Sequence, residues 1–176
     1  RQMCIRDRYN AATIGNHEFD AGLKTLKQNI INNDFQFISS NYDFTNTELE
    51  GLIDKYKIYN KAGVKIGVFG LGIELNGLVN PLLYNETKYY DPVDIAKDMT
   101  SKLKFEEKCD LVICISHLGH QYQIDKISDT KLAKLTSNID LIIGGHTHTL
   151  LKEPLILNNS LGEEVIINQV GSSGVF

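Results

Sequence analysis

Apolar positions along this chain fall into two rhythms, and the rhythm names the elements. Leu23, Leu26 and Ile30 recur at helical spacing, predicting an amphipathic helix from about Asp20 to Asn32-Asn33. A second helix is predicted to open at Asp91-Pro92, a good N-cap followed by proline in its favoured first position, with Val93, Ala96, Met99 and Leu103 inward. A third starts from Asp129, with Leu132 and Leu135 expected to face the core. Between them lie short strand-like runs: 11–14, 35–39, 111–115 and 140–143. Tyr56–Tyr59 and Val64–Phe69 alternate around Asn60-Lys61-Ala62-Gly63, a hairpin signature, and 154–157 pairs plausibly with 164–169 across Asn158–Gly162. From Gly70 to Tyr90 the periodic signal fades, predicting loop with one helical turn at most.

Strands that alternate with helices and are apolar throughout imply a layered α/β fold with strands buried on both faces. With no repeat and no linker in 176 residues, the span 9–176 reads as one domain. A content of 42% hydrophobic and 23% charged residues suits a globular core. The net charge of −4 supplies no basic stripe, which argues against a nucleic-acid polymer or an anionic membrane surface as partner. Three cysteines, Cys4, Cys109 and Cys114, form no CxxC pattern, so buried free thiols are expected rather than a zinc–sulfur site. No run is long enough to span a membrane, and no signal-peptide pattern opens the chain. The opening Arg1–Arg8 shares no pattern with the chain from Tyr9 onward and is expected to be a non-native leader; an unbroken genomic copy running through it would refute that.

The candidate chemistry is histidine. Ile142-Ile143-Gly144-Gly145-His146-Thr147-His148 places a His-x-His pair just beyond a predicted strand. In extended chain, residues i and i+2 project to one side, so the pair could serve one metal or two neighbouring ones; two solvated loop histidines is the alternative. The other histidines tip the balance. Of five in the chain, four (His17, His117, His146 and His148) come just after predicted strands, and ligands of open α/β sheets collect beyond the carboxyl ends of strands. Three segments thus deliver imidazoles to one edge, which favours a metal site.

Gly15-Asn16-His17-Glu18, Ser116-His117-Leu118-Gly119 and Gly144-Gly145-His146-Thr147-His148, in that order, resemble three of the five blocks of the calcineurin-like metallophosphoesterases. The longer Gly15–Asp20 form, with Gly63–Val68 downstream, is similar to the bacterial 5′-nucleotidase branch, which includes UDP-sugar hydrolases and 2′,3′-cyclic-nucleotide phosphodiesterases. The resemblance implies a metallophosphoesterase-type βαβ sandwich, helices outside the sheets, and two divalent ions (Zn, Mn, Fe, Co or similar). It implies Asn16, His117 and His146 at the second metal, with Asn16 also helping to hold phosphate, and His148 at the first metal. His17 would face the substrate and assist the leaving oxygen, oriented by Asp20 in a His–Asp dyad. Such residues suit phosphate esters: metals neutralise the ester oxygens and lower the pKa of water, and an imidazolium beside a carboxylate can protonate an alkoxide.

Alternatives stand beside these roles. Asp20 could cap the helix it precedes. Glu18 is expected to be structural, His120 a solvated loop residue, and Tyr89 and Tyr90 packing residues rather than base-stacking ones. The family's Asp-x-His and Gly-Asp blocks would precede Tyr9, and the C-terminal nucleotidase domain of the two-domain members would lie in a longer parent or on a separate chain. The chain is therefore expected to be a fragment, incomplete at both ends and inactive alone, of a hydrolase of nucleoside 5′-monophosphates or related small phosphate esters. A non-catalytic metal- or ligand-binding module and a thiosulfonate-type hydrolase are the alternatives. Periplasmic or extracellular location is only weakly suggested by the resemblance.

Overall fold

The computed structural model describes residues 9–172. The expected leader lies outside the described residues, as do residues 173–176. In chain order the elements are β1 (Ala11–Thr13), a single 3-10 turn (His17–Phe19), α1 (Gly22–Ile31), β2 (Gln36–Ile38), β3 (Tyr42–Asp43), β4 (Tyr56–Lys61) and β5 (Val64–Leu71). Next come α2 (Pro81–Tyr84), β6 (Lys88–Tyr89), α3 (Pro92–Ser101) running into a π-helical turn (Lys102–Glu106), and β7 (Leu111–Ser116). The last are α4 (Asp129–Leu135), β8 (Leu141–Ile143), β9 (Leu155–Asn158) and β10 (Glu164–Asn168).

The main sheet has the order β4-β5-β7-β8-β10-β9, parallel through β5, β7, β8 and β10, with antiparallel β4 and β9 at its edges. The β4–β5 turn is tighter than the sequence suggests: Lys61 pairs with Val64, leaving Ala62 and Gly63, both at positive φ (50° and 83°), as a two-residue hairpin turn. The Asp91 carboxylate caps α3 as expected, accepting from the amides of Val93 (2.8 Å) and Asp94 (3.1 Å). Two short strands escape the sequence: β3 and β6 pair antiparallel over two residues each, too short for any periodic signal.

One face of the sheet is sealed by α3 and α4. Phe69, Leu71, Val112, Cys114, Ile142, Val165 and Ile167 pack there with Ala96, Leu103, Leu132 and Ala133. Leu135, expected inward, is 52% exposed. On the α4 wheel Asp129, Thr130, Leu132 and Ala133 form the buried arc, and Leu135 lands past its edge. The opposite face carries the small β1–β2 sheet, which lies over β5 so closely that a Cβ on Gly70 would stand 2.5 Å from the Ile38 carbonyl. Beyond it, Ile143 of β8, Ile156 of β9 and Ile166 of β10 are 45%, 54% and 41% exposed. Burial on both faces is thus met for β5 and only on the helix side for β8 and β10. A second hydrophobic cluster (Ile14, Phe19, Leu23, Leu26, Tyr42, Leu49) fixes α1 and the turn before it.

Candidate active site

The first candidate segment is anchored by its apolar member. After β1 the chain enters the His17–Phe19 turn, and Phe19, fully buried, meets Tyr42 edge-on with ring centroids 5.6 Å apart. Its neighbours are thereby fixed. Glu18 accepts the Gly15 N–H (2.8 Å), a structural role as expected, and Asn16 is buried. His17 and Asp20 project into solvent, their side chains 71% and 64% exposed, with His17 Nδ1 2.8 Å from Asp20 Oδ2. Asp20 does not cap α1. Ala21 holds the N-cap position without a side-chain bond, and the carboxylate turns back to the imidazole instead.

Two other strand ends close on Asn16. Its Oδ1 lies 3.1 Å from His117 Nε2 and 3.0 Å from His146 Nδ1, accepting from both rings, whose centroids are 5.2 Å apart. His117 lies between glycines of the other two segments: a Cβ on Gly15 would stand 2.6 Å from its ring and one on Gly145 3.2 Å. Burial, then the charges of His146, His17 and His148, push the His117 imidazolium down to about 4, so it is neutral near pH 7. Burial first, then Lys126, His148 and His17, likewise lower His146. His148 stands outside the contacts that join Asn16, His117 and His146, although its charge reaches both rings. The premise of an extended His-x-His segment is overturned: His146 (φ 73°) and His148 (φ 54°) are both left-handed, so period-2 projection does not apply.

Beneath these loops runs a polar framework the sequence did not disclose. Asp129, fully buried, accepts from Ser116 Oγ (2.5 Å), the residue before His117, and its other oxygen occupies the space a Gly144 side chain would need. Gln169, 1% exposed, donates from Nε2 to the Gly145 carbonyl (2.6 Å) and accepts at Oε1 from Thr147 Oγ1 (3.0 Å) and the Thr149 amide (2.5 Å). Thr147 Oγ1 in turn accepts the His120 N–H (2.9 Å). His120 is therefore not a solvated loop histidine: it is half-buried, with Nδ1 enclosed and unpartnered. Tyr89 packs near Tyr42 as expected, whereas Tyr90 is exposed, its hydroxyl donating to Asp43 (3.2 Å).

The donor set can be tested against a cation. Among the described residues no cluster of three or more His, Cys, Asp or Glu is arranged for a metal; the His117–His146 pair is completed by an amide. Donors that share one cation at about 2.1 Å stand roughly 3.0–3.4 Å from one another. The two separations at Asn16 Oδ1, 3.1 and 3.0 Å, meet that condition. A family model described as Calcineurin-like phosphoesterase matches residues 2–150. The chain belongs to that family. Among calcineurin-like phosphoesterases it is 33% identical over 146 residues to a 5′-nucleotidase of Vibrio cholerae, covering 79% of this chain and 26% of that protein. It is 29% identical to the trifunctional nucleotide phosphoesterase protein YfkN of Bacillus subtilis, over 96% of this chain and 13% of that one. Among solved structures, the 5′-nucleotidase precursor of Thermus thermophilus superposes with a TM-score of 0.80 at 28% identity, covering 92% of this chain and 33% of that one. The chain thus spans about a quarter to a third of these two nucleotidases, and the α/β sandwich is theirs.

Proposed function

We propose that this chain is part of the catalytic domain, residues 9–176, of a metal-dependent phosphohydrolase that cleaves small phosphate esters, nucleoside 5′-monophosphates foremost. The observation that carries the reading is Asn16 Oδ1, shared by His117 and His146 at 3.1 and 3.0 Å from three separate strand ends. Asn16, His117 and His146 would hold one divalent ion and His148 would serve a second. Bound there, the ions supply charge neutralisation of the ester and acidification of water. An amide ligand adds no negative charge, which keeps such a site receptive to an anion.

His17 and Asp20 do the proton work in this reading. The carboxylate accepts from Nδ1 and fixes the ring's orientation, which turns Nε2 outward as the atom that would donate to the departing oxygen. The high exposure of the pair suits a group that meets substrate. The test uses the full-length parent. His17→Ala should abolish most 5′-AMP hydrolysis while bound metal, measured by elemental analysis, is retained. Loss of metal along with activity would make His17 a ligand instead, unchanged hydrolysis would remove His17 from the proton work, and no 5′-AMP hydrolysis by the unsubstituted protein would favour a binding module. A thiosulfonate substrate assayed beside 5′-AMP separates the sulfur-ester reading.

A further inference from the structure

We propose that Gln169 is a positioning residue that holds the His146-Thr147-His148 loop in its left-handed form through three side-chain hydrogen bonds. The loop leaves β8 at Gly144 and returns to pair beside β10: Gly144 N–H donates to the Asn168 carbonyl (2.8 Å), Leu151 N–H to the Gln169 carbonyl (3.0 Å), and Gly171 N–H to the Thr149 carbonyl (2.9 Å). The backbone thus wraps around one buried side chain. The Gln169 amide fills the middle and touches the residue before His146, the residue between the two histidines and the residue after His148.

Its orientation is dictated by its partners. A carbonyl can only accept and a backbone amide can only donate, so Nε2 faces Gly145 and Oε1 faces Thr149. Left-handed backbone is uncommon outside glycine, even for histidine, which visits it more often than most, and two such residues one position apart call for an external restraint. The amide supplies one because it has a donor and an acceptor that must both be satisfied when buried. A carboxylate of the same shape would keep the acceptor and lose the donor; an aliphatic side chain would lose both. The placement stands on these contacts alone, and the purpose given to it, holding metal ligands, rests on the phosphohydrolase reading.

The test is amide hydrogen exchange by NMR on this chain. In the wild type the Thr149 amide and the Gln169 side-chain amide should exchange slowly. In Gln169→Leu, Thr149 should exchange about tenfold faster or more, and His146 and His148 backbone signals should shift, while Val165 and Ile167 keep their protection. In Gln169→Glu, Thr149 should stay protected while Gly145 and His146 shift, a split that general loosening would not produce. Fast exchange of both wild-type groups overturns the proposal, as does a Gln169→Leu protein in which Val165 and Ile167 lose protection as much as Thr149. If Gln169→Leu fails to fold, the wild-type rates and Gln169→Glu decide. Mn2+ added to both proteins gives the second readout: broadening at Asn16 and His146 should need roughly tenfold more Mn2+ in Gln169→Leu. Equal sensitivity overturns the metal purpose. No broadening in the wild type counts against the phosphohydrolase reading and leaves the exchange result to judge the placement.

Discussion

His17 Nδ1 and Asp20 Oδ2 lie 2.8 Å apart across a single turn, both side chains open to solvent while the phenylalanine between them is sealed in the core. On the phosphohydrolase reading, His17→Ala in the full-length protein is expected to lower kcat by about 10^2 to 10^4-fold, the usual weight of a positioned proton donor. Asp20→Asn should act in the same direction and by less. Neither substitution should move the thermal midpoint appreciably, since exposed side chains without core contacts change stability by about 0.5 kcal/mol or less. Steady-state kinetics beside thermal unfolding checks both parts.

Gly15→Ala should damage the site without touching a proposed ligand. The added methyl would stand 2.6 Å from the His117 ring, so ring or loop must shift. Overpacking of this kind costs about 1–3 kcal/mol. The displacement should appear as weakened Mn2+ binding by calorimetry, larger than the effect of Gly63→Ala at an open turn.

Phe19→Ala tests the anchor of the first segment. Phe19 is fully buried against Tyr42, and truncation of a buried phenylalanine costs about 3–5 kcal/mol. Chemical denaturation should report that loss. A cost under about 1 kcal/mol would mean the turn is held by something else.

Asp129 makes stability depend on pH. Burial, offset in part by the Ser116 hydroxyl, raises its carboxyl from the ordinary 3.8 to about 7. A folded-state pKa above the unfolded one means the native state holds the proton more tightly. Its contribution is favourable below about pH 4, and stability falls as pH rises through about 4 to 7. Roughly 4 kcal/mol separates the two limits at about 1.36 kcal/mol per pH unit. Asp129→Asn, which cannot ionise, should flatten that fall in denaturation midpoints taken from about pH 4 to 8. A wild-type curve that rises over this range, with the variant parallel to it, would reject the assignment.

Much of the frame was legible because it is periodic. The hairpin at Ala62-Gly63, the Asp91 cap and the apolar β7 all declare themselves through spacing and turn chemistry. His117 and His146 stand out by their place after strands and Asn16 by the family resemblance; the structure brings the three side chains together, although the extended geometry expected for His146 and His148 does not hold. Leu135 failed because α4 is seven residues long and its inward arc is set by Leu132 and Ala133. Gln169 and Asp129 were missed because they act on distant loops, which leaves no periodic trace. A faint sign existed: with Val165 and Ile167 inward, alternation turns position 169 inward too, where a polar residue needs a reason.

The exposure of Ile143, Ile156 and Ile166 on a sheet face that the described residues leave open has a consequence at the bench. Branched aliphatics lined up on a pleated surface adhere to whatever apolar surface is near, including each other. The handling of this polypeptide will therefore be governed by colloidal stickiness: ammonium sulfate, which strengthens apolar association, should precipitate it early, and low salt with mild detergent should keep it dispersed.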